Sequence, residues 1–222
     1  MEVSVKPHQH SVLTSQERLQ VLLWSRRSGK SFVSALWLLL KQTHRGGMVF
    51  YIAPSFQQCK DFFLTELLPL VEATYGIHKL PVSLSELSIK FPSGEIRCVS
   101  GSDGAGRIRG KSLTACVIDE AQDITTDAYN YSILPALADQ KGDMLVSGTA
   151  SPQGLLHDLW HNYKGEPFCS LVRAHEAGII EPDELSRMKS SKDAMAYAQE
   201  FNCEFINTVS YTHLTLPTIY SV

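Results

Sequence analysis

The chain has 222 residues, 44% of them hydrophobic and 19% charged, with 20 Lys and Arg against 23 Asp and Glu for a formal net charge of −3. That composition suits a soluble globular protein with one sizeable core and excludes wholesale disorder. The longest apolar stretch, around Ala35–Leu40, falls far short of the roughly 20 residues of a membrane span, and the acidic balance excludes a surface that is basic throughout.

The N-terminus, MEVSVKPHQH, has no apolar signal core, so secretion is not expected. Cys59, Cys98, Cys116, Cys169 and Cys203 lie far apart without a CxxC pair and read as reduced intracellular thiols. Leu19–Trp24 reads as a buried strand, Ser31–Thr43 as a helix, and Met48–Ala53, closed by Pro54, as a second strand. Phe56–Tyr75 is predicted as one long amphipathic helix with Pro69 near its end. Glu86–Phe91 and Glu95–Ser100 flank the turn Pro92-Ser93-Gly94 as a hairpin. Leu113–Ile118 suits a central parallel strand, Asp127–Leu137 a helix, Asp143–Ser147 a strand, Pro167–Arg173 one more strand, and Pro182–Phe205 two short helices. The alternation predicts an α/β domain around a mostly parallel sheet.

The strongest local signal is Trp24-Ser25-Arg26-Arg27-Ser28-Gly29-Lys30-Ser31, placed between a predicted strand and a predicted helix. A P-loop needs that context. Its backbone N–H groups and the helix N-terminus can wrap a phosphate, Gly29 permits close approach, Lys30 brings a point charge, and the Ser31 hydroxyl can ligate Mg²⁺. Trp24 stands where the general pattern has its first glycine. The second signal is Cys116-Val117-Ile118-Asp119-Glu120, an apolar strand ending in paired acids. In P-loop ATPases the first acid holds Mg²⁺ and the second activates water, which assigns Asp119 to the metal and Glu120 to general base. Ser147-Gly148-Thr149 follows the next predicted strand and could sense the γ-phosphate, or be an ordinary turn. His157 and His161 have the spacing of a helical zinc site but read better as a partly exposed face, and Trp37, Phe62, Phe63, Cys98 and Cys116 read as core.

The order PHQ, WSRRSGKS, YIAPS, RIRG, VIDEAQD, SGTASP and EFNCEF resembles the ATPase domain of the large terminase subunit of tailed bacteriophages, from about Pro7 to about Phe205. The resemblance implies a P-loop NTPase fold of the ASCE, RecA-like kind: three layers with a mostly parallel central sheet. It implies an ATPase that uses ATP and Mg²⁺ to drive double-stranded DNA into a procapsid. Gln9 would sit at the adenine and Arg26 would reach the phosphates within its own subunit. Arg107 or Arg109 would serve a neighbouring subunit's ATP. Ser147, Gly148 and Thr149 would couple hydrolysis to DNA movement. The implied partners are a small terminase subunit, the portal protein and further copies in a homo-oligomeric ring, with no membrane. The setting would be the host bacterial cytoplasm, transiently on the procapsid. The family continues into an RNase H-like nuclease domain, expected to be absent here, so nuclease activity is not expected of this chain. The ATPase domain is assigned to residues 1–207. Residues 208–222, in which no Asp, Glu, Lys or Arg occurs, read as a non-native tail. A helicase-like or other DNA-dependent P-loop ATPase, or a nucleotide-binding fragment without turnover, would share the two main motifs.

Overall fold

In the computed structural model, residues 4–101, 105–191 and 193–206 are described; the segment 208–222 lies outside them. Helix α1 (Pro7–Thr14) precedes β1 (Leu19–Trp24), which leads through the loop at residues 25–29 into α2 (Lys30–Arg45). Next come β2 (Gly47–Ala53) and the long helix α3, built from Phe56–Phe62, a π-helical turn Phe63–Leu67, and Leu68–Tyr75. The strands β3 (Val82–Ser83), β4 (Ser88–Phe91), β5 (Gly94–Ser100), β6 (Leu113–Ile118), β7 (Asp143–Gly148) and β8 (Cys169–Val172) complete one sheet, ordered β3-β4-β5-β2-β6-β7-β1-β8. The six strands from β5 to β8 in that order run parallel; β3 and β4 form an antiparallel margin.

The interior strands are apolar on both faces because both faces are covered, the usual condition of a parallel sheet. Successive residues of one strand part between two cores. Leu22, Trp24, Val49, Tyr51, Ala115 and Val117 face α2 and α3, where they meet Val33, Trp37, Leu38, Phe63 and Leu67. Val21, Leu23, Phe50, Ile52, Cys116 and Ile118 face the other way, onto Ile133, Leu137, Leu156 and Leu159. The result is a three-layer α/β/α domain of the predicted class. Leu38 is wholly buried, and truncating it to Ala would cost about 2–5 kcal/mol.

Each predicted strand is present. The predicted helix Phe56–Tyr75 is corrected in its interior. The N–H of Leu68 reaches back to the Phe63 carbonyl, five residues away, and Pro69 follows at once. Proline has no N–H to donate and its ring crowds the carbonyl four residues back, so the chain inserts a wider turn ahead of it. The predicted helix Asp127–Leu137 shows the same device. It runs as Thr126–Ala128, a π turn Tyr129–Ile133, and Leu134–Ala138, with Leu134 N–H on the Tyr129 carbonyl and Pro135 next. The short helix Ala174–Ala177 precedes the two predicted ones, found at Pro182–Ser191 and Ala194–Asn202.

Parallel strands end on one side. The loop after β1, the acids after β6 and the segment ending β7 therefore share one edge, where ligands of open α/β sheets bind. β7 lies between β1 and β6, so the lysine-bearing loop and the acids face each other across one strand.

Candidate active site

The loop between β1 and α2 is shaped by its main chain. Gly29 (φ 85°) and Arg27 (φ 56°) are left-handed. The left-handed φ favours glycine at position 29, and a Cβ there would also have to displace the Gln9 amide. Ser28 Oγ donates to the Ser25 carbonyl at 2.8 Å and tightens the turn. Lys30 Nζ donates to the Trp24 and Ser25 carbonyls at 3.0 and 2.9 Å. Burial pushes the Lys30 ammonium below its usual value, against the pull of Glu120 and then Asp119. The N–H groups of Lys30, Ser31 and Phe32 precede the first bond of α2, from Val33 N–H to Gly29 O at 3.1 Å, and so present the positive end of the helix.

An open cavity of about 550 Å³ is lined by Arg26, Arg27, Lys30, Ser31, Glu66 and Glu120, with Gly29 and Phe32. A second, of about 220 Å³, shares Ser31, Glu66 and Glu120 and adds Asp119, Tyr51 and Phe62. The P-loop and the acid pair thus border one continuous site. Burial pushes the Glu66 carboxyl up from its ordinary value.

Asp119 is buried and triply held. Tyr51 Oη donates to Oδ2 at 2.6 Å; Ser147 Oγ and the Glu120 N–H donate to Oδ1 at 2.7 and 3.0 Å. Burial and the neighbouring Asp119 hold the Tyr51 phenol well above its usual range. Glu120 lies in a left-handed conformation (φ 46°, ψ 49°) and accepts from Gln122 Nε2 at 2.7 Å. The donors gathered around Ser31 and Asp119 are hydroxyl and carboxylate oxygens, the hard set that suits Mg²⁺.

Arg26, Arg27, Gly29, Lys30, Ser31, Asp119 and Glu120 therefore line the two adjoining cavities. The remaining predicted residues, and Arg26 itself, make further contacts. Trp24 turns its indole into the core, donating to Ser170 Oγ at 2.9 Å, with the His8 ring edge-on at 4.8 Å. The Ser25 and Ser28 side chains are buried beneath the loop, and the Ser25 main chain is engaged there: its N–H donates to the Val172 carbonyl at 2.9 Å and its carbonyl accepts from Ser28 Oγ and Lys30 Nζ. Gln9 is buried against Gly29, its Oε1 accepting from Lys6 N–H at 2.9 Å. Ser147 reaches Asp119 rather than the cavity, and Gly148 and Thr149 meet Gln122. Arg26 pairs with Glu200 at 3.4 Å. Arg107 and Arg109 are exposed and line a separate cavity with Arg97 and Lys111; Arg109 Nε also donates to Ser132 Oγ at 3.2 Å. The His157 and His161 rings lie 4.1 Å apart, with Phe205 edge-on to the first and tilted to the second, and no cluster of three metal-ligating side chains occurs among the described residues. Trp37, Phe62, Phe63, Cys98 and Cys116 are core. Sequence reasoning missed Tyr51, Glu66 and the bridging role of Gln122. Only the strand alternation of Met48–Ala53, which puts Tyr51 on one face with Val49 and Ala53, hinted at the first.

The family model for the terminase large subunit, T4likevirus-type, N-terminal, matches residues 21–220. The chain belongs to that family. Solved structures agree with this terminase fold. The large terminase ATPase domain of Thermus phage P74-26 superposes with a TM-score of 0.76 at 18% identity, covering 91% of this chain and 94% of that one. The large terminase of a thermophilic bacteriophage, solved in complex with ADP, gives a TM-score of 0.76 at 11% identity over 91% of this chain and 54% of its own. The HK97 bacteriophage large terminase gives 0.67 at 15%, over 90% and 50%. The chain thus spans the P74-26 domain and about half of the other two proteins. At these identities the structures establish the fold alone. No curated protein matches the chain by sequence. No described helix is long and apolar enough to cross a membrane.

Proposed function

We propose that this chain is the ATP-hydrolysing engine of a motor that drives double-stranded DNA into a phage procapsid. One observation carries the reading: within a terminase fold, the Lys30 ammonium and the Asp119–Glu120 pair border one site. ATP would span that gap. The Lys30 ammonium, satisfied by two loop carbonyls, would exchange them for β- and γ-phosphate oxygens, and the N–H groups opening α2 would add to the cradle. Ser31 and Asp119 would hold Mg²⁺, which supplies charge neutralisation at the β/γ oxygens. Glu120 would accept the proton of the attacking water.

Arg26 is proposed to reach the phosphates within the same subunit. Its partner Glu200 is an exposed ion pair, and such pairs contribute about 0–1 kcal/mol, so release costs little. Arg109 or Arg107 is proposed to act on a neighbouring subunit's ATP, a role supported by their exposure away from their own P-loop. That requires a homo-oligomeric ring. The ATPase domain is proposed as residues 1–207. The proposed partners are DNA, gripped through its phosphates and hence salt-sensitively, the small terminase subunit and the portal, in the host bacterial cytoplasm.

The test is a pair of substitutions. Lys30→Ala abolishes nucleotide binding, measured with a fluorescent ATP analogue. Glu120→Gln keeps binding and lowers turnover by about 10²–10⁴. Normal hydrolysis by Glu120→Gln would refute the assignment.

A further inference from the structure

Gln122 stands two residues beyond Glu120, and both ends of its amide are engaged. Nε2 donates to Glu120 Oε2 at 2.7 Å, and Oε1 accepts from the Thr149 N–H at 3.3 Å. The side chain is thus a bridge from the acid pair after β6 to the end of β7. Gly148 is shaped around it: a Cβ there would collide with Gln122 Oε1 and stand 3.2 Å from the Ala121 nitrogen. Glu120 itself occupies a left-handed backbone conformation that a non-glycine residue adopts only when its surroundings hold it there. Its main-chain N–H is held on Asp119 Oδ1, its carbonyl by the Asp123 N–H at 2.9 Å, and its carboxylate by Gln122.

We propose that Gln122 is a positioning residue for Glu120. It fixes the direction of the carboxylate and makes that direction depend on where the Ser147–Thr149 segment lies. The inference rests on Glu120 being the general base. With Oε2 taken by the amide, Oε1 is the oxygen left to accept from water. A donor on one oxygen restrains the side chain to one rotamer, so a water bound to the other has one place to sit. When the end of β7 shifts, the Thr149 N–H carries Gln122 with it, and the carboxylate follows. None of this touches the groups that bind the phosphates, so affinity and turnover should separate.

The experiment measures steady-state ATPase activity and binding of a fluorescent ATP analogue for the wild-type chain and for Gln122→Ala, Gln122→Glu and Glu120→Gln. Gln122→Ala is expected to keep affinity within about twofold and to lower kcat by about tenfold to a hundredfold, part of what a positioned base contributes. Gln122→Glu keeps the shape of the side chain and puts a second carboxylate beside Glu120. It has no N–H to give Glu120 Oε2, so kcat should fall at least as far as in Gln122→Ala. Unchanged or raised kcat in Gln122→Ala, a loss of affinity equal to the loss of kcat, or wild-type kcat in Gln122→Glu would each overturn the proposal. An inactive Glu120→Gln beside a fully active Gln122→Ala would overturn it alone, whereas an active Glu120→Gln would bring down the base assignment beneath it.

Discussion

Converting Tyr51 to Phe removes one oxygen atom from the neighbourhood of Asp119 and leaves the ring, stacked on Phe62 with centroids 3.6 Å apart, where it is. The lost interaction is a 2.6 Å hydrogen bond from a buried phenol to a buried carboxylate. Hydrogen bonds to charged groups contribute about 1.5–3 kcal/mol net. No methylene is deleted, so the cavity contribution is small, and about 2 kcal/mol is the expected loss. For a domain of this size each kcal/mol moves the melting temperature by about 2–4 °C, which gives a drop of about 4–8 °C without nucleotide. Ser147→Ala should cost less, about 1 kcal/mol, because Oδ1 keeps the Glu120 N–H after its hydroxyl donor is gone. The pH dependence has a definite sign. The folded protein holds the Tyr51 phenol above its ordinary value, so above about pH 10 the unfolded chain releases that proton first. The wild type should therefore lose stability through this window faster than Tyr51→Phe. Circular dichroism melts and urea titrations across pH supply both readouts. A Tyr51→Phe protein that melts within about 1 °C of wild type would refute the argument.

Mixing Lys30→Ala with Arg109→Ala subunits should restore turnover several-fold above either alone, since one supplies the finger and the other the P-loop; repeating the mixture with Arg107→Ala identifies which arginine acts, and no recovery with either rules out action in trans. Asp143→Ala breaks the ion pairs to Lys41 and Arg45, both 2.9 Å, and should destabilise by about 1–3 kcal/mol in urea titration while nucleotide affinity stays unchanged, because Asp143 opens β7 at the end remote from Ser147. Burial pushes the Cys59 and Cys203 thiols up to about 11 and raises Cys98 and Cys116 too; alkylation of the native protein at about pH 8, where exposed thiolate is the reactive form, followed by mass spectrometry, should mark the half-buried Cys169 first, and simultaneous reaction of all five would contradict the packing.

The strands were legible because an interior parallel strand is a short apolar run between breakers, and Leu19–Trp24 or Leu113–Ile118 has no other stable use. The interiors of the two long helices were not. Leu68-Pro69 and Leu134-Pro135 each sit inside an otherwise helical pattern, and a residue count alone cannot say how the backbone meets a missing N–H. The chain keeps both helices continuous by shifting one turn from a four-residue to a five-residue bond, which also rotates the side chains beyond it. Helix α1 was equally hidden. Of PHQHSVLT only Gln9 and Val12 are buried, too few to set a period, and the segment is held instead by Pro7 at its start and by the contact of Gln9 with the P-loop.

The two motifs of the candidate site were readable because each is local in sequence. Lys30 and Ser31 open one helix, and Asp119 and Glu120 end one strand, so spacing along the chain is spacing in the site. The residues that hold Asp119 come instead from neighbouring strands. Register pairs Ile52 with Ile118 and Ile118 with Val146, which brings Tyr51 of β2 and Ser147 of β7 to opposite oxygens of the same carboxylate. An anion buried at the centre of a sheet is tolerable only where donors meet it from several sides, and only the sheet can deliver them. A slip of one residue in β2 or β7 would turn Tyr51 or Ser147 onto the opposite face and leave both motifs intact in sequence. The acid pair is therefore specified twice, once by the motif that names it and once by the register that holds it. Damage to the second would register as a loss of stability with every motif residue still in place.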